Sequence, residues 1–152
     1  MQHVAGRRII VTGSTRGLGR AFAEGLAAQG AHVVVNGTNA ALVDEVVSGI
    51  ARSGGVAVGC VGSVADDAAA EGLVDTAVTS FGGLDAVVNN AGIVRDRTLS
   101  NMTCEEFDEV IAVNLRGTWS VSRHVMRAMR EQGTGQLLQV ISGSAFVGSV
   151  GQ

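Results

Sequence analysis

The chain has 152 residues, 46% hydrophobic and 16% charged, a composition that fills one globular domain and excludes an intrinsically disordered chain. A formal net charge of −3 argues against nucleic acid or an anionic membrane surface as partner. All 11 basic residues are Arg, and with no Lys, Tyr or Pro the polypeptide contains no Schiff-base lysine, catalytic tyrosine or P-loop lysine.

Short β-branched runs alternate with longer helical stretches. Arg8 to Thr12 reads as a buried strand. Gly17 to Gln29 reads as a helix in which Leu18, Phe22 and Leu26 recur at helical spacing, stopped by Gly30. His32 to Asn36 is a second strand, and Asn39 caps a helix reaching about Ser53, closed by Gly54-Gly55. Val56 to Val61 is the third strand, and Ala65 to Phe81 the third helix, ended by Gly82-Gly83. Leu84 to Asn89 is the fourth strand. Thr103 then caps a long helical region with Glu105 and Glu106 in its first turn, running to about Glu131 with a bend near Gly117. Gln136 to Ser142 is a fifth strand, and Gly143 to Gln152 a Gly/Ser-rich loop.

Strands apolar on both faces, alternating with helices, predict an α/β fold: a doubly wound parallel sheet of the Rossmann type in one domain, 1–152. The N-terminus is too short and polar for a signal peptide, and no apolar run nears the roughly 18 residues of a membrane span, so a cytoplasmic protein is expected. Cys60 and Cys104 lie far apart and read as reduced thiols. His3, His32 and His124 are equally scattered, which predicts surface or strand-edge roles and no metal.

Thr12-Gly13-Ser14-Thr15-Arg16-Gly17-Leu18-Gly19 sits at the first strand–helix junction, with its glycines in G-x-x-x-G-x-G spacing. Gly13 permits the tight turn, Gly17 lets the backbone approach a pyrophosphate, and Gly19 lets helix and strand pack closely. The amides that open the helix are then aimed at phosphate. At the first junction of a βαβ pattern, this predicts a dinucleotide site.

Together with Asn89-Asn90-Ala91-Gly92, with Asn114 inside Val113 to Gly117, and with Ile141-Ser142, this motif resembles the short-chain dehydrogenase/reductase family over nearly the whole chain. The resemblance implies that Gly13, Ser14, Thr15, Arg16, Gly17, Leu18, Gly19, Asn36, Thr38, Ser63, Val64, Asn90, Ala91 and Gly92 surround the cofactor. Asn90 to Gly92 would shape the floor under adenosine and ribose. Asn114 would be the active-site asparagine, holding a water of the proton relay. Ser142 would hydrogen-bond the substrate carbonyl oxygen, with Ser144 the competing choice. The family's tyrosine acid/base and its lysine would fall just past Gln152, so the chain is expected to stop before the helix that completes the catalytic set. One departure stands inside the match: Ser63 occupies the place of an Asp that faces the adenine.

The second strand ends in Val35-Asn36-Gly37-Thr38, with no acid to bind a ribose diol, and Arg16 offers a partner for a 2′-phosphate. NADP(H) is therefore favoured, with NAD(H) the alternative. Asn89 to Leu99 and the tail from Ser142 look most like 3-oxoacyl-[acyl-carrier-protein] reductases of fatty acid biosynthesis. Sugar-alcohol, gluconate and hydroxyacyl-CoA dehydrogenases resemble these closely. The expectation is an NADP(H)-dependent oxidoreductase passing hydride between nicotinamide and a ketone or secondary alcohol, the alternative a non-catalytic nucleotide-binding module. The substrate is expected to be a small-molecule or carrier-linked carbonyl compound, and the full-length protein a homodimer or homotetramer. Trp119 is expected in the core or at a subunit interface, and Arg95 and Arg97 in a solvated loop. Arg123, Arg127 and Arg130 suit the helix dipole and offer a surface to an acidic carrier.

Overall fold

Residues 4–148 and Gly151 are described by a computed structural model. Met1 to His3, Ser149, Val150 and Gln152 lie outside the described residues, and with them the expectations for His3 and for the last positions of the tail. Among the described residues the Val- and Ile-rich runs form one parallel sheet of five strands. These are β1 (Arg8–Val11), β2 (His32–Gly37), β3 (Val56–Val61), β4 (Ala86–Asn89) and β5 (Gln136–Gln139), in the order β3-β2-β1-β4-β5. Only the central strands β1, β2 and β4 are buried on both faces. Among the described residues β3 pairs with β2 and β5 with β4, and Leu138 of β5 is 50% exposed.

Successive residues of each strand point to opposite faces and so feed two separate cores. Ile9, Val11, Val33 and Val35 pack against α1 (Gly17–Ala28) and α2 (Ala40–Arg52), whereas Ile10, Val34 and Val87 pack against α3 (Asp67–Phe81) and α5 (Thr118–Gln132). This is the doubly wound arrangement. The residues whose spacing marks α1 as a helix are not the ones it buries. Gly19, Ala23 and Ala27 meet the sheet, whereas Leu18 is 65% exposed, Phe22 is exposed and Leu26 only half-buried. Close approach of helix to strand selects the small side chains and turns the large ones outward.

Caps set the helix starts. Asn39 Oδ1 accepts from Leu42 N at 3.1 Å. Asp66 accepts from Ala68 N at 3.0 Å, and so α3 begins at Asp67 rather than Ala65. Thr103 and Glu106 form a capping box, each side chain accepting from the other's backbone N–H at 3.2 Å, at the start of α4 (Cys104–Val110). Where the sequence predicts a bend near Gly117, the long helix widens into a π-helical stretch, Ile111–Gly117, before α5. β4 begins at Ala86 rather than Leu84, and β5 ends at Gln139 rather than Ser142, followed by a 3₁₀ turn at Gly143–Ala145.

Two polar clusters tie distant elements. Asp85 Oδ2 accepts from Arg8 N at 2.9 Å and Nε at 2.8 Å, and Oδ1 from Nη2 at 2.9 Å. The Arg8 side-chain hydrogen bond is the main reason the Asp85 carboxyl is pulled down to about 2. Asp67 of α3 accepts from Ser120 Oγ and from Arg123 Nη2 of α5 and lies 3.2 Å from His124 Nε2. The Ser120 hydrogen bond comes first in lowering the Asp67 carboxyl to about 2, followed by that of His124. His124 is therefore buried between helices rather than at the surface expected for it, while His32 packs on Phe81, ring centroids 5.3 Å apart. Trp119 is 55% exposed with the Arg123 guanidinium 4.9 Å from its ring centre, so it is not a core residue. Cys60 is half-buried and Cys104 exposed, both as free thiols. Among the described residues no helix is long and apolar enough to cross a membrane.

Candidate functional site

In an open α/β sheet the ligand crevice lies beyond the carboxyl ends of the strands, where the strand order reverses. Here that point is the junction of β1 with β4. A cleft of about 540 Å³ opens there, and it gathers every residue expected around a cofactor except Ser14: Gly13, Thr15 to Gly19, Asn36, Thr38, Ser63, Val64 and Asn90 to Gly92.

Ser14 is fully buried, donating to Val11 O at 2.7 Å and accepting from Asn36 N at 2.9 Å. It ties the glycine turn to β2 and has no face toward the cleft. Asn36 borders the cleft, but its amide is committed within the protein. Oδ1 accepts from Gly13 N at 3.1 Å, and Nδ2 donates to Cys60 O at 3.1 Å and Gly62 O at 3.0 Å. Asn36 therefore lines the cleft while its side-chain amide serves the scaffold. Ser63 Oγ accepts from Ala65 N at 3.3 Å, shaping the same corner.

On the other side, Asn90 Nδ2 donates to Thr12 O at 3.0 Å and Gly13 O at 3.1 Å. The N–H groups of Asn90 and Ala91 both donate to Thr12 Oγ1 at 3.0 Å. Thr12 thereby joins β1 to the loop after β4, a role the sequence reading left unassigned. Its signal was a hydroxyl closing an otherwise apolar buried strand. Gly37, Asn39, Leu42, Gly62, Ile93 and Val113 also border the cleft without having been singled out as cofactor residues. Gly19 has to be glycine, because a Cβ there would collide with the Gly13 carbonyl and the Asn90 amide.

The donor set suits an anionic ligand. The starts of α2, α3 and α4 are each capped by a side chain, whereas among the described residues Arg16, in the cap position before Gly17, makes no side-chain cap to α1. Arg16 and the first helical residues, Gly17 to Gly19, line the cleft, and an uncapped helix start beside an arginine suits the phosphates of a dinucleotide.

A second cavity, about 460 Å³, adjoins through Ile93 and is walled mainly by Val94, Leu99, Met102, Phe107, Val110 and Ile111, with Arg95 to Arg97 at one side and Asn114, Ser142 and Ser144 also in its lining. The structure thus brings both candidate catalytic residues to one apolar chamber. The Asn114 side chain pairs with Ile93, accepting from its N–H and donating to its carbonyl, both at 2.9 Å. That amide anchors the π-helical stretch to the loop after β4. Ser142 Oγ accepts from Ser144 N at 3.2 Å and donates to Ser144 Oγ at 3.3 Å, so the two competing serines form one hydroxyl pair. The loop between β4 and α4 is held by ion pairs rather than only solvated: Arg95 meets Glu109 at 2.8 Å and Arg97 meets Glu106 at 3.2 Å. Of the three arginines on α5, Arg123 is engaged with Asp67, leaving Arg127 and Arg130 exposed.

The family model for short chain dehydrogenases matches residues 7–152. A hydroxyacyl-CoA dehydrogenase of Mycobacterium tuberculosis is 44% identical, the match covering 98% of this chain and 51% of that protein. The peroxisomal multifunctional enzyme type 2 of Mus musculus is 42% identical over 97% of this chain and 21% of its own length. The crystal structure of a short chain dehydrogenase from Mycobacterium avium superposes with a TM-score of 0.92 at 44% identity, covering 98% of this chain and 56% of that one. The chain therefore spans about half, or less, of the length of these relatives.

Proposed function

The chain belongs to the short chain dehydrogenase family, and from that premise we propose that it forms the NADP(H)-binding part of an oxidoreductase interconverting a hydroxyl and a ketone on an acyl thioester. The observation that carries this reading is the uncapped start of α1 with Arg16 at a cleft whose β2 side bears no carboxylate, adjoining an apolar chamber that holds Ser142. When bound, the nicotinamide supplies or accepts the hydride. The amides of the first turn of α1 and Arg16 hold the phosphates, and Asn90 to Gly92 form the floor under the adenosine half. The Ser142 hydroxyl donates to the substrate carbonyl oxygen and stabilises the negative charge that develops there. The apolar side chains from Ile93 to Ile111 offer an acyl chain a surface to lie against. The hydroxyacyl-CoA dehydrogenase among the relatives favours coenzyme A over an acyl-carrier protein as the carrier.

Titration of the chain with NADPH and NADH tests the cofactor assignment. NADPH is expected to bind at least about tenfold more tightly, since an Arg–phosphate pair is a charge-assisted, bidentate contact, and Arg16→Ala is expected to erase the difference. An unchanged preference in that variant overturns the NADP(H) reading. The absence of Tyr and Lys from the sequence favours a second reading for this stretch taken by itself, a nucleotide-binding module without turnover. Oxidation of NADPH by the 152-residue chain in the presence of a 3-oxoacyl-CoA would dismiss that alternative.

A further inference from the structure

Gly37 ends β2 and is buried beneath the turn that leads into α1. A Cβ built on it would stand 2.5 Å from Thr15 Cγ2, 3.2 Å from Thr15 Oγ1 and 3.4 Å from Thr15 Cβ. The Thr15 side chain thus fills the space into which any side chain at position 37 would project. Neither backbone is free to withdraw. Ser14 N donates to Asn36 O at 2.8 Å, and Gly13 N to Asn36 Oδ1 at 3.1 Å, locking the turn onto β2. On its other side Gly37 pairs in register with Val61 and accepts from Gly62 N at 3.0 Å. Thr15 is β-branched, so two of its three staggered rotamers present a heavy atom toward any given neighbour.

The position matters because the end of the second strand is where an acid binds a ribose diol and repels a 2′-phosphate in this class of fold. We propose that Thr15 is a specificity-determining residue: packed over Gly37, it bars a carboxylate from the end of β2 and leaves the 2′ position of a bound adenosine open to a phosphate. This role rests on the NADP(H) reading above. Thr15 and Arg16 then divide the task between neighbours in sequence, the first excluding the acid and the second supplying positive charge. Thr15→Ala keeps only the Cβ, at 3.4 Å an ordinary van der Waals neighbour, and so makes room for a residue at 37.

The test is a double-mutant cycle on the full chain, with NADH and NADPH titrated as ligands and thermal melting followed alongside. Gly37→Asp alone is expected to weaken both cofactors by about tenfold or more without gaining a preference for NADH. Thr15→Ala with Gly37→Asp is expected to bind NADH about tenfold more tightly than the single variant and to reverse the preference. A Gly37→Asp variant that already prefers NADH as strongly as the double variant overturns the proposal, as does a double variant no better than the single one. Gly37→Ala, which adds bulk without charge, covers the case in which Gly37→Asp does not fold. It is expected to melt below the parent chain, and Thr15→Ala is expected to restore the loss; failure to restore it overturns the steric claim. Equal affinity of the parent chain for NADH and NADPH would instead remove the NADP(H) reading, while the melting cycle still decides whether Thr15 closes position 37.

Discussion

The Asn36 amide spends its hydrogen-bonding capacity on Gly13 N, Cys60 O and Gly62 O, holding the glycine turn against the end of β3. Asn36→Asp would set a carboxylate oxygen against two carbonyls that now receive hydrogen bonds. The expected cost is about 2–3 kcal/mol at neutral pH, read from urea denaturation. A carboxyl in that setting has a raised pKa, and its neutral form can donate one of the two lost bonds. The penalty relative to the parent chain therefore shrinks as pH falls, and an equal penalty at pH 4 and pH 7 would refute this account. The place of Asn36 at the end of a strand was legible in the sequence. Its commitment to the scaffold was not, because its partners lie 23 to 26 residues away. The burial of Ser14 was hidden for the same reason: its hydroxyl meets Asn36, 22 residues on.

Among the elements, α1 shows that a periodic stripe need not be the buried face. Leu18, Phe22 and Leu26 make a regular stripe, yet Gly19, Ala23 and Ala27 are the buried one. Hydrophobic spacing identifies a helix but does not say how near its partner comes, and a helix seated closely on a sheet needs small side chains at the contact. Ala23→Leu is accordingly expected to destabilise the chain by about 1–3 kcal/mol through overpacking. Leu18→Ala, at the rim of the cleft, is expected to cost less than about 0.5 kcal/mol. Melting curves of the two variants decide between the faces, and a reversed order would restore the sequence-based stripe. Helix starts were read more reliably. Asn39 and Thr103 both cap as expected, since a cap is a contact between residues three apart.

For the molecule as a whole, Asp85 and Arg8 clasp the strand ends opposite the cleft, joining residues 77 apart. The folded state holds the Asp85 carboxyl at about 2, below its ordinary 3.8, so the clasp stabilises above the ordinary pKa and is lost as pH falls toward 2. The contribution at pH 7 is on the order of 2 kcal/mol. Asp85→Ala should lower the urea midpoint at pH 7 and approach the parent chain near pH 2; a gap independent of pH would contradict the linkage. By itself the sequence determined the order of strands and helices, the glycine turn at the first junction and the caps. These depend on residues within a turn or two of one another, where propensity and spacing act directly. Only the tertiary structure decided which face α1 buries, that Ser14 and Asn36 serve the scaffold, that Asn114 and the Ser142–Ser144 pair share one chamber, and that Thr15 lies over Gly37. Each of these is a contact between segments far apart in the chain, which exists only once the sheet has ordered and so leaves no periodic trace in the residues that make it.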